Sequence, residues 1–147
     1  MPDTTTACPA GLSDRITGEG SILAFDFGLK KIGVAIGNSL LRRAHPLNII
    51  HEETRTARFD TIAYLVREWE PIGFVVGLPL YPDGAAHDMT RRCKRFANQL
   101  RGRFGIRTAL VDERYSSCVS GSLPHQADDA RAAALILQQY FDDTHTG

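Results

Sequence analysis

Three stretches of the chain carry carboxylates in unusual company. Asp26 ends the apolar run Ile22–Phe25 within SILAFDFGLKKIGVAIG. Glu113 follows the apolar run Thr108–Val111 in TALVDER. Asp128 and Asp129 open the segment DDARAAALILQQYF. A carboxylate at the end of a buried strand is costly unless it is paired, neutralised or bound to a cation. Carboxylates brought together repel, and a cation between them relieves that repulsion. An all-oxygen set without nearby Cys or His suits a hard ion, Mg²⁺ or Mn²⁺. Two such ions ~3.5–4 Å apart can activate a water and stabilise the leaving oxygen in phosphodiester cleavage. Asp26, Glu113 and the Asp128-Asp129 pair are therefore the candidate source of catalytic residues and metal ligands, provided the fold makes them converge.

Each residue also has a plainer role open to it. Asp26 could cap the turn through Gly28 and Lys30, and Glu113 could pair with Arg114 or Arg107. Asp128 and Asp129 could serve as helix N-cap and first-turn charge. Basic residues form the second constellation. Lys30 and Lys31 stand in the first turn, Arg114 follows Glu113, and Arg91, Arg92, Lys94 and Arg95 crowd one helical segment. They are candidate nucleic-acid-binding residues, because phosphate contacts are made by such clusters; the alternative is a solvated helix face. The five histidines are scattered, and Ser116-Ser117-Cys118 has no base nearby in sequence.

The elements that must position these groups follow from periodicity. Ile22–Phe25 and Ile32–Ile36 are short apolar runs split by a Gly-containing polar turn, the pattern of two paired antiparallel strands. Both lack polar alternation, as strands covered on two faces do. Leu40–Arg43 reads as a polar connection and Pro46–His51 as a third strand, with Pro46 at an edge or a strand start. Phe59, Ile62, Val66 and Trp69 then recur at helical spacing across Arg55–Glu70. Ile72–Gly77 is a buried strand, and Leu78–Gly84 a turn-rich loop. A helix over about 86–103 directs Met89, Cys93, Phe96, Leu100 and Phe104 inward. Thr108–Val111 is a fifth strand, 116–127 a loop, and 128–141 a last helix with Ala133, Ile136, Leu137 and Tyr140 on one stripe. The order β-β-β-α-β-α-β-α predicts an α/β fold: a five-stranded mixed sheet with helices on both faces. Ligands of such sheets gather at the carboxyl ends of the parallel strands, where Asp26 and Glu113 fall.

Bulk properties narrow the classes. The 147 residues suit one domain, with 43% hydrophobic and 23% charged content and zero formal net charge. Global charge cannot carry nucleic-acid binding, so any basic surface is local. Three cysteines without metal or disulfide spacing read as free thiols of a reducing cytoplasm. Residues 1–20 lack the pattern of a signal peptide, and no apolar stretch is long enough to span a membrane. The organisation expected is a disordered tail over 1–20, a domain over 21–142 and a short tail over 143–147. The location expected is cytoplasmic.

The motifs FDFGLKKIGVAIGN, VVGLPLYPDG, LVDERYSS and DDARAAALILQQYF, in that order, resemble those of the YqgF family, also called the RuvX or Holliday junction resolvase family. The resemblance runs from about 22 to 141. It implies an RNase H-like fold and acidic residues similar to those of RuvC-type resolvases. It also implies metal-dependent nuclease activity and a part in processing the ends of precursor 16S ribosomal RNA. Aligned on the alanine pair Ala132-Ala133 and on Ile136-Leu137-Gln138, the last family acid falls on Asp129. The first falls on Asp26, and the glutamate of the D-E-R motif on Glu113. Relative to the family pattern, the segment between Glu113 and Asp129 is short and holds one basic residue besides histidine, Arg114.

The expected function is thus a Mg²⁺- or Mn²⁺-dependent nuclease acting on a structured RNA precursor, as monomer or homodimer. Branched DNA is the alternative substrate. A non-catalytic RNA- or ribosome-associated binding protein is a third reading. An actin-like nucleotide-binding protein is a fourth, although such proteins close two related domains around their ligand.

Overall fold

The computed structural model describes residues 16, 18–28, 30–51, 54–78, 87–112 and 129–145; for 87–89, 112, 129 and 143–145 only the backbone is described. Strands β1 (Ser21–Asp26), β2 (Ile32–Asn38), β3 (Arg43–Ile50), β4 (Gly73–Leu78) and β5 (Arg107–Asp112) form one sheet in the order β3-β2-β1-β4-β5. β1 pairs antiparallel with β2 and parallel with β4, and β4 pairs parallel with β5. The sheet is therefore mixed, as the element order predicts.

Helices α1 (Arg55–Trp69) and α2 (His87–Phe104) pack on one face and α3 (Asp129–His145) on the other. Alternation along each strand divides the core in two. Leu23 and Phe25 of β1 join Val34, Phe74 and Val76 beneath Phe59, Ile62, Leu65, Phe96 and Leu100. Ile22 and Ala24 join Ala35, Val75, Ala109 and Val111 beneath Ala133, Ile136, Leu137 and Phe141. The residues from Ile22 to Phe25 are at most 1% exposed, so β1 is covered on both sides and has no polar face to show in sequence.

Several boundaries differ from the sequence pattern for identifiable reasons. β3 begins at Arg43 rather than Pro46, because the β2–β3 turn is tight. Asn38 Oδ1 accepts from the amides of Leu40 and Leu41 at 2.8 and 3.3 Å, and Arg42 adopts a left-handed φ of 55°. β3 is an edge strand and largely exposed, so apolar content does not mark its start. Pro46 sits opposite Ala35, just past a bulge between Val34 and Ala35, which an edge strand tolerates. In α1 the inward position is Leu65, whereas Trp69 is 41% exposed: at the last residue of the helix the stripe has passed beyond the sheet. Thr54 caps the helix, its hydroxyl accepting from the Ala57 amide at 3.2 Å. Glu70, with φ 46°, closes the other end through its amide to the Val66 carbonyl at 2.8 Å. α3 runs to His145, past Phe141, because Phe141 is itself a buried anchor. Ahead of β1, Ile16 packs on the α3-side core, and the Gly20 amide donates to Ser39 Oγ at 3.0 Å. The loop after Leu78 and the segment 116–127 lie outside the described residues.

Candidate functional site

The site is built at the carboxyl ends of β1, β4 and β5. On β1, Ile22 and Ala24 belong to the α3-side core and Leu23 and Phe25 to the opposite one. The next step of the alternation puts Asp26 on the α3 side, half-buried, opposite Gly33 of β2. Phe27 turns the other way and packs on the core beneath α1 and α2, its ring 4.9 Å from Phe96. On β5, Ala109 and Val111 share the α3 side.

α3 packs on that side of the sheet, chiefly over β1, β2 and β3. Its C-terminal half lies over Gly37, whose missing side chain leaves room for Leu137 and Phe141. Three hydrogen bonds hold it there. Gln138 Oε1 accepts from the Ala44 amide at 3.2 Å, and Gln138 Nε2 donates to the Arg42 carbonyl at 3.1 Å. The Arg42 guanidinium donates to the Phe141 carbonyl at 2.9 Å. Gly37 pairs with Ile22, near the amino end of β1. A helix rises ~1.5 Å per residue, so position 129 lies ~12 Å back from Leu137. A strand rises ~3.3 Å per residue, so Asp26 lies ~13 Å beyond Ile22. The two lengths match, which is the condition for an acid at position 129 to stand near Asp26. Helical register sets position 129 on the stripe of Ala133 and Ile136, both buried.

Of the three candidate acids, Asp26 is described in full and Asp129 by its backbone alone, as the first residue of α3. Glu113, Arg114 and Asp128 lie outside the described residues, as does the side chain of Asp129. Among the described residues no three His, Cys, Asp or Glu side chains cluster as metal ligands. What the structure offers a metal is an oxygen donor, Asp26, at the end of an otherwise apolar strand, which fits Mg²⁺ or Mn²⁺ better than a softer ion.

Lys30 and Lys31 are exposed in the β1–β2 turn. Arg91, Arg92, Lys94 and Arg95 are exposed on α2, and two of them turn toward a cleft. This cleft, of about 300 Å³, is lined by Phe27, Arg55, Arg58, Phe59, Arg92, Arg95, Phe96 and Gln99. Arg58 is only 7% exposed, and its guanidinium lies over the Phe27 ring, 5.5 Å from the centroid. Arg103 covers Phe59 at 4.3 Å. Sequence reasoning passed over Arg55, Arg58 and Phe27. The available signal was Arg58 itself, a cation beside inward-facing Phe59 on the buried stripe of a helix.

A five-stranded mixed sheet with an acid closing its central strand defines an RNase H-like α/β protein. Among solved structures the fold is shared with Thermus thermophilus RuvC in complex with a Holliday junction substrate. The TM-score is 0.56 at 15% identity, over 86% of this chain and 96% of that one. The chain belongs to the RuvX family, described as Holliday junction resolvase, whose model matches residues 20–143. A relative from Bordetella parapertussis, named "Putative pre-16S rRNA nuclease", is 58% identical over 126 residues, 84% of this chain and 95% of its own. One of the same name from Ralstonia nicotianae is 45% identical over 147 residues, covering 99% of both chains. No described helix is long and apolar enough to cross a membrane.

Proposed function

We propose that this protein is a divalent-metal-dependent nuclease that hydrolyses phosphodiester bonds during maturation of precursor 16S ribosomal RNA. The observation that carries this reading is Asp26. It closes the buried central strand, on the side that α3 covers. Asp26, Glu113 and Asp129 would hold Mg²⁺ or Mn²⁺. Once bound, the metal supplies water activation at neutral pH and charge stabilisation at the leaving oxygen. The chain's own part is to fix the carboxylates. The packed strand immobilises Asp26, and the anchored far end of α3 sets the height of Asp129. Lys30, Lys31, Arg91, Arg92, Lys94, Arg95 and Arg114 would hold the nucleic-acid backbone, leaving the scissile phosphate at the acidic edge.

The RNA assignment leans on the names of the curated relatives. The family description favours a second substrate, branched DNA. A cleavage assay on matched precursor RNA, duplex DNA and four-way junction, with Mn²⁺ or EDTA, separates them. Cleavage of RNA that EDTA and Asp26→Asn both abolish is the expected result. Preferential junction cleavage would establish the second reading. No cleavage of any substrate would leave a binding protein.

A further inference from the structure

We infer that the cleft between the first turn of α1 and the middle of α2 is a nucleotide-binding pocket, which takes one unpaired nucleotide of the strand lying across the acidic edge. Its lining combines the two chemistries such a unit needs. Arg55, Arg58, Arg92 and Arg95 offer planar guanidinium forks, which recognise phosphate in a bidentate manner. Phe27, partly exposed at the cleft, offers a ring edge against which a base packs irrespective of its identity, while buried Phe59 and Phe96 form the apolar floor. One of the four is held in place by packing. Arg58 is buried and laid on Phe27. No acidic residue occupies the first turn of α1, so that helix end keeps its attraction for an anion.

Position is the second argument. Phe27 directly follows Asp26, with ~3.8 Å between successive Cα atoms. Asp26 faces α3 and Phe27 faces α1 and α2, so the pocket and the acids share one edge of the sheet from opposite sides. A strand crossing that edge meets both. The volume, about 300 Å³, suits a single nucleotide. A pocket of this kind would select substrates with a single-stranded nucleotide beside the scissile bond. It thereby deepens the nuclease reading, on which its biological meaning rests.

The test measures binding in EDTA, where no cleavage intervenes, using a short labelled single-stranded RNA, the same strand with abasic residues, and UMP and inorganic phosphate as competitors. Arg92→Ala with Arg95→Ala, both exposed and so compatible with folding, should weaken RNA binding tenfold or more. It should also lower the slope of log K against log salt by about 1.4 for two phosphate contacts. Arg43→Ala with Arg67→Ala, removing equal charge elsewhere, should change neither. The wild type should prefer the base-bearing strand to the abasic one by roughly tenfold, a typical stacking contribution, and Phe27→Leu should erase that preference at a temperature where its melt, lowered by the lost packing, shows it still folded. UMP should compete better than inorganic phosphate. Unchanged binding by the arginine variant, equal binding of the abasic strand, or equal competition by phosphate would each overturn the pocket. The two readings fail separately. A protein that binds through the pocket yet cleaves nothing refutes the nuclease. One that cleaves while its arginine variant binds like wild type refutes the pocket.

Discussion

Replacing Gly37 by alanine should destabilise the protein and disturb its active edge, although alanine is ordinarily the better residue in regular structure. A Cβ on Gly37 would stand 2.8 Å from the Arg43 carbonyl oxygen, 2.8 Å from Leu137 Cδ2 and 2.9 Å from Phe141 Cε2. Ordinary contact begins near 3.4 Å, so all three are short by about half an ångström. The oxygen belongs to the paired strand, and both side chains are buried anchors of α3, so none is free to swing away. Overpacking of this kind costs ~1–3 kcal/mol. With ~2.1 cal/mol/K of unfolding entropy per residue, a chain of this size loses ~3 °C of Tm per kcal/mol, giving a fall of ~3–10 °C. Gly102→Ala is the internal control. It makes the same chemical change in the exposed stretch of α2, where nothing lies within 4 Å. It should gain ~0.5–1 kcal/mol, raising Tm by ~2–3 °C. Thermal melts followed by circular dichroism read both variants. A displacement of α3 by half an ångström should also lower turnover more than the loss of folded protein accounts for. If Gly37→Ala melts at or above the wild-type temperature, the close approach of α3 to β2 is wrong, and with it the alignment of Asp129 with Asp26.

Asp129→Asn should keep the wild-type Tm but reduce turnover by roughly a hundredfold or more, the scale of removing a group that acts on developing charge. Asp128→Asn should leave turnover nearly intact, since asparagine caps a helix almost as well; the opposite outcome in a paired assay would exchange their roles. Thr54→Ala, which deletes the cap of α1, should cost ~1 kcal/mol or ~3 °C in a melt. Leu137→Ala, at a fully buried site, should cost ~2–5 kcal/mol in urea denaturation.

The strands that hold Asp26 were legible because burial on both faces left continuous apolar runs on either side of one polar turn. The helices were legible by period, yet period alone could not say where a helix overruns its sheet, and so Trp69 was misjudged. The start of β3 was hidden because an exposed edge strand needs no apolar pattern. The pairing of Arg55 and Arg58 with Arg92 and Arg95 was hidden for another reason. Two arginines three apart on each helix look like solvated faces until the packing turns the helices toward each other. The stripe behind the choice of position 129 was legible because helical register depends only on spacing, and Ala133 and Ile136 are buried where Leu135 is not.

The hydrogen bonds joining Gln138 and Phe141 to Arg42 and Ala44 span more than ninety residues of chain. This has a consequence for when the molecule becomes competent. At ~5–20 residues per second, a ribosome needs ~5–20 s to pass from one side of that clamp to the other. The antiparallel strands β1, β2 and β3 are contiguous in sequence and can pair in the interval, presenting Asp26 alone. Only after α3 has emerged can it close this long loop. A nascent chain still lacking that helix therefore lacks position 129 of the proposed set, and activity toward nucleic acid should arise only after synthesis has passed the last helix.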